Sequence, residues 1–267
     1  MLTPYEQKAL KQLRAWQAEE PGWGSRLLAK PGNKVAQAVS VVVPTSALRA
    51  ALTGADRLGR RLSDERSILK RAGVAQLSEL RGKPLETPDR LARTVTRRAQ
   101  WLGGASGALF GVAGAAGLVA DVPTLLMLAM RTIHRVGLCY GDKPADDDQR
   151  RLGLGIFALV SANSAAEKQL AVQALRDGAP LLDAAWRDGV ERITEREIAK
   201  DAAAYSLQNL ARAIGVNLGK RKVAGGVPVI GAAVGAAVNA WYLADVAQVA
   251  RYTFQERWLA EKYPGAL

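Results

Sequence analysis

Residues 99–120 and 223–244 are two runs of 22 residues without a single charge. As one helix, each is long enough to cross the roughly 30 Å hydrocarbon core of a bilayer. A fold must either bury two such runs against each other or turn them towards an apolar medium. Both are built largely from glycine and alanine. Gly103, Gly107 and Gly111 recur every fourth residue in the first, and Gly231, Gly235 and Asn239 repeat that spacing in the second. Residues four apart stack on one helical face, so each run offers a stripe against which another backbone can come close. Each run follows a basic cluster and leads to an aspartate, Asp121 or Asp245, as an internal repeat would.

The first run continues through Asp121-Val122-Pro123 into a second apolar stretch, residues 124–130, and on to Tyr140-Gly141. This order predicts a helical hairpin over residues 99–141 with its turn at Asp121. The Asp121 carboxylate is then the cap of the second helix, and Pro123 lies just inside it, where the missing N–H costs nothing. Gly141 supplies the left-handed residue that ends the helix.

Around this hairpin the periodicity is helical throughout. Leu10, Leu13 and Trp16 give an amphipathic helix over residues 4–20, closed by Pro21-Gly22-Trp23-Gly24. Pro44 interrupts the apolar residues 35–55 and marks a bend with a new helix after it. Ser63-Asp64-Glu65 opens a short helix that Gly73 ends, and Thr87-Pro88-Asp89 opens a long one, with Thr87 as cap. On that helix Arg90, Arg93 and Arg97 form a basic face, with Leu91, Val95 and Leu102 on another, and with Arg98 they lead directly into the first uncharged run. Residues 149–176 read as one further helix, closed by Gly178-Ala179-Pro180. A capping box at Thr194 and Glu197 opens another, which Lys220-Arg221-Lys222 ends; Pro228 can then start the second apolar helix.

Aromatic residues make up only 6 % of a chain that is 49 % hydrophobic, which favours close helix packing over sheets. The expected fold is all-α: a single multi-helix bundle with Gly/Ala-rich apolar helices, residues 61–267, onto which amphipathic helices of residues 1–60 pack. The net charge of +12 draws the chain to polyanions, either nucleic acid or an anionic lipid surface. The chain lacks zinc-finger spacing and an aromatic-rich basic strand, and its most basic helices adjoin its most apolar ones, which favours lipid.

Catalytic chemistry is poorly provided for. Cys139 is the one cysteine, so neither a disulfide nor a cysteine metal cluster can form within the chain. His134 is the one histidine; five residues from Cys139 on the same helix, it is turned by about 140° from it, so the two do not form a dyad. Asp142, Asp146, Asp147 and Asp148 lack the glycine and final glutamate of a calcium loop. No phosphate-cradling glycine loop is present, and neither a metal nor a cofactor is expected. Paired carboxylates, Asp121 with Asp245, are the remaining enzymatic option, that of a lipid-directed hydrolase.

Together and in order, several motifs resemble the EcsC family of bacterial proteins. They are the ladder Gly107, Gly111, Gly114 and Gly117 leading to Asp121 and Pro123, the Tyr140-Gly141 pair, the segment of residues 227–239 with Pro228, Gly231, Gly235 and Asn239, and a tail with Ala250, Tyr252 and Arg257. The likeness covers residues 65–260. It implies a link to an ABC transporter, to secretion and to envelope processes, with no settled catalytic activity and no catalytic residues to carry over. The expectation is a non-catalytic cytoplasmic protein, without a secretory signal at Met1, that rests on or partly enters the inner membrane. Its apolar helices and the clusters Arg90, Arg93, Arg97, Arg98, Lys220, Arg221 and Lys222 would contact anionic lipids, beside a membrane complex such as a transporter. The alternatives are a soluble regulatory bundle or a nucleic-acid-binding one. The soluble regulatory bundle differs in predicting full solubility without detergent.

Overall fold

The computed structural model describes residues 1–19, 45–112, 114–143, 147–160, 165–176 and 228–265, and every regular element among them is an α-helix. The first, α1 (Pro4–Ala18), begins with a capping box absent from the sequence reading. Thr3 Oγ1 accepts from the Glu6 N–H at 3.2 Å, while Glu6 Oε2 accepts from the Thr3 N–H at 2.7 Å. Helix α2 (Thr45–Arg61) starts directly after Pro44. Helix α3 (Glu65–Ala72) has the predicted ends: Asp64 Oδ1 accepts from Ser67 N–H at 3.3 Å, and Gly73 closes it in the left-handed region. The short α4 (Leu77–Arg81) leads to α5 (Glu86–Val112). Next come α6 (Gly114–Cys139), α7 (Asp147–Val160), α8 (Ala165–Arg176) and α9 (Pro228–Lys262).

The structure departs from two expectations. The hairpin turns about eight residues early: α5 ends at Val112, α6 starts at Gly114, and the two lie side by side. Asp121 is therefore not a cap, and Pro123 lies inside α6. Gly111 and Gly114 bracket the new turn, where a bend is cheap, whereas Pro123 forfeits one hydrogen bond that the packing of residues 124–130 outweighs. For the same reason the first uncharged run is divided between two helices. No helix among the described residues is long and apolar enough to cross a membrane. The long helix after Pro84 begins at Glu86, not behind a Thr87 cap, because Leu85 is anchored in the core and its carbonyl accepts from the Asp89 N–H at 3.2 Å. Residues 149–176, expected as one helix, are helical over α7 and α8, and residues 161–164 between them lie outside the described residues. The closing signals at residues 21–24 and 178–180, the capping box at Thr194, Asp146, and Lys220-Arg221-Lys222 lie outside the described residues.

The core is arranged around α6, which touches α2, α3, α5, α7 and α9. Its residues Leu125, Leu126, Ala129, Met130, Ile133 and Val136 are all buried, a wide apolar face that recurs with the helical period. The helix ends in a Schellman motif: Asp142 N–H donates to Gly137 O at 3.0 Å and Gly141 N–H to Leu138 O at 3.1 Å, with Gly141 at φ +84°. A Cβ at Gly141 would lie 2.8 Å from Leu77 O, so glycine is required there for space as well as for conformation. The two glycine stripes meet each other. Gly103 and Gly107 of α5 lie against Asn239 and Gly235 of α9, so closely that Asn239 O sits 2.7 Å from where a Gly103 Cβ would be. This pairing makes α5 and α9 the most extensive helix contact of the described fold.

Candidate functional site

The outward strip of α5 changes character along its length. Arg90, Arg93, Arg97 and Arg98 are exposed in its first half; in its second half Trp101, Leu109 and Val112 are 71 %, 69 % and 59 % exposed. Trp101, Ala105, Leu109 and Val112 follow one another at three- and four-residue steps, and so share a face. The exposure of Leu109 and Val112 has no signal in the sequence, where the whole run is uniformly apolar. The burial of one face against α9 is what leaves the other open.

The four arginines do not form one cluster. Arg93 and Arg97 line a groove of about 580 Å³ with Trp16, Gln248, Arg251 and Tyr252. The Trp16 and Tyr252 rings stack there with centroids 4.9 Å apart, and Arg251 lies over the Tyr252 ring. Arg98, also exposed, is close enough to Arg131 and Arg135 of α6 to help hold their guanidinium pKa values down, after burial. Arg90 stands apart on the exposed face.

Beneath the groove is a polar node. Asp89, 1 % exposed, accepts from Tyr5 Oη at 2.7 Å, from Gln255 Nε2 at 2.9 Å and from the Tyr140 hydroxyl. Helices α1, α5 and α9 and the end of α6 thereby converge on one carboxylate. Burial, and then the hydrogen bond to Asp89, push the Tyr5 hydroxyl up to about 12; burial and the Asp89 charge push that of Tyr140 well above its ordinary value. Tyr140 of the Tyr140-Gly141 pair thus serves this node and stacks on Phe254, with ring centroids 6.1 Å apart. In the tail, Ala250 and Tyr252 are buried and Arg257 Nε lies 3.8 Å from Asp142 Oδ2.

The profile of the EcsC protein family matches residues 7–259, nearly the whole chain. The chain belongs to the EcsC family. It is 24 % identical over 186 residues to the uncharacterized protein YdbA of Bacillus subtilis (strain 168), which covers 70 % of this chain and 63 % of that protein. The chain thus spans less than two thirds of that relative's length. No solved structure matches.

Of the EcsC ladder, Gly107 lies against Gly235, Gly111 is half-buried near the end of α5, and Gly114 and Gly117 fall in the first turn of α6. Pro228 is the first residue of α9, with Gly231, Gly235 and the buried Asn239 along it. The candidate catalytic groups of this EcsC chain are held in other work. His134 Nε2 lies 2.8 Å from Asp56 Oδ1, and Asp56 Oδ2 lies 2.9 Å from Arg60. Cys139 Sγ donates to Arg135 O, and burial pushes its thiol up to about 12, so it is neither nucleophilic nor paired with His134. No group of three or more potential metal ligands occurs among the described residues.

Asp245 lies in the middle of α9, and burial raises its carboxyl to about 6 against some relief from Lys168. Lys168 is itself buried, over the Trp16 ring, and donates to the carbonyls of Trp16 and Glu19. A carboxyl raised in the folded state binds its proton more tightly there, so its contribution to stability is lost as pH rises through about 4 to 6. Asp245→Asn should therefore raise stability by about 2 kcal/mol at neutral pH and by little at pH 4, read by urea denaturation at both values.

Proposed function

We propose that this EcsC-family protein is a non-catalytic protein of the cytoplasmic face that associates with the anionic inner membrane through the α5/α6 hairpin end, as an accessory to transport, secretion or envelope processes. The observation that supports this reading is the strip of α5, basic at Arg90, Arg97 and Arg98 and apolar from Trp101 to Val112. At about 1.5 Å per residue, the 11 steps from Trp101 to Val112 extend about 16 Å, roughly half of a bilayer's hydrocarbon core. Such a length enters one leaflet with Trp101 at the interface, where an indole is favoured, and the arginines at the level of the phosphates. A helix that spans is not needed for this mode of contact.

The test is flotation of the detergent-free full chain with phosphatidylcholine vesicles, with and without phosphatidylglycerol, at low and high salt. Selective binding to anionic vesicles that persists in part at high salt is expected, because buried apolar area is not screened. Trp101→Glu with Leu109→Glu should abolish the salt-resistant part. Arg90→Gln with Arg98→Gln should weaken low-salt binding about tenfold or more, at about 1 kcal/mol per cation. A folded chain that fails to float under any condition would overturn the reading.

A further inference from the structure

The corner between α2 and α3 is lined by an excess of cations over the acids of the described residues around it. Arg57, Arg60 and Arg61 from the end of α2, Arg66 from the first turn of α3 and Lys143 just beyond α6 surround a cavity of about 880 Å³. Arg60 is held by the buried Asp56 at 2.9 Å. Two acids share the wall, Asp64 and Glu65, and Asp64 is engaged as the cap of α3 and lies 3.7 Å from Arg135. Arg57, Arg61, Arg66 and Lys143 have no carboxylate partner among the described residues. A helix C-terminus accounts for one or two cations in its last turn, but not for five from three elements around one concavity.

Two further arginines stiffen the corner from below. Arg131 Nε donates to Leu62 O at 2.7 Å, while Arg135 donates to Ser63 O at 2.9 Å and to Ser67 Oγ at 3.0 Å. The turn that carries the cavity is thereby pinned to α6 at three points. Burial first, and then the repulsion of neighbouring guanidinium groups, hold the pKa values of Arg131 and Arg135 below the ordinary arginine value. The guanidinium fork matches the oxygens of a phosphate pairwise, and cations assembled at one concavity repel each other until an anion relieves them. The volume is that of a small-molecule site.

We propose that the α2–α3 corner binds a phosphoryl anion of two or more negative charges, the chemistry shared by soluble pyrophosphate and by the phosphomonoester headgroup of phosphatidic acid. This does not depend on membrane contact by α5. The first measurement is calorimetric titration of the full chain with sodium pyrophosphate, against inorganic phosphate and sulfate at matched ionic strength. Saturable one-to-one binding is expected, tighter for pyrophosphate than for the other two. Arg57→Gln with Arg66→Gln, both at exposed positions, should weaken it at least tenfold, and Arg93→Gln with Arg97→Gln should leave it unchanged. No saturable heat, or equal weakening in both double variants, would overturn the proposal.

A second arm separates the two sources on vesicles of phosphatidylcholine and phosphatidic acid. If pyrophosphate releases bound protein from these vesicles, the lipid headgroup occupies the corner; if it binds and releases none, the ligand is the soluble anion. Loss of flotation on phosphatidylglycerol with pyrophosphate binding intact would remove the membrane reading alone.

Discussion

Replacing Asp89 with alanine is expected to cost about 4 kcal/mol of folding stability, a large share of the roughly 5–15 kcal/mol that holds a domain folded. The carboxylate accepts from Tyr5, Tyr140 and Gln255 at once. Its removal leaves the hydroxyl of Tyr140 and the amide of Gln255, both buried, without the acceptor that offsets their desolvation, at about 1–3 kcal/mol each. Asp89→Asn keeps the shape and one acceptor oxygen but loses the charge, so about half of that cost should remain. Urea denaturation of the two variants measures this. An Asp89→Ala chain as stable as the parent would mean that the node does not join α1, α5 and α9 energetically.

Gly107→Ala should cost about 3 kcal/mol, although alanine is the better helix former. The added methyl would lie 2.5 Å from the Gly235 carbonyl carbon and 2.9 Å from Ala236 N, atoms of the α9 backbone that cannot swing aside, so the two helices must part. Gly104→Ala, three residues earlier, is the control. There the methyl meets only Ala236 O and the Ala240 Cβ, at 3.8 Å, and the loss of a helix-interior glycine should raise stability by up to about 1 kcal/mol. Opposite signs at two nearby glycines of one helix separate a packing requirement from helix propensity. If both variants were stabilised, the close contact of α5 and α9 would be refuted.

Much of this architecture was legible because it depends on short-range rules. Asp64 and Gly73 bracket α3, Gly141 ends α6, Pro228 begins α9, and the four-residue glycine spacing identified the faces on which helices approach, all from residue chemistry within a turn or two. The same local rules failed at Asp121. Aspartate followed two residues later by proline is a start signal in isolation, yet here the helix runs through it, since the energy of burying residues 124–130 exceeds the loss of one backbone bond.

The candidate surfaces show the same division. The basic face of α5 and its junction with an apolar run followed from the sequence, but that Arg93 and Arg97 look into one groove while Arg98 joins Arg131 and Arg135 did not. Arg57, Arg60, Arg61 and Arg66 of the α2–α3 corner lie within ten residues of the sequence, but that they share a concavity with Lys143 follows only from the meeting of α2, α3 and the end of α6. The sequence by itself determined an all-helical chain, the glycine faces and an excess of positive charge, since these follow from periodicity, backbone freedom and composition. Only the tertiary structure decided that the two glycine stripes face each other, that Asp89 gathers Tyr5, Tyr140 and Gln255, and which cations share a cavity. The Asp89 node joins residues 51 to 166 positions apart, and the glycine stripes are as distant in sequence, separations that no local pattern encodes.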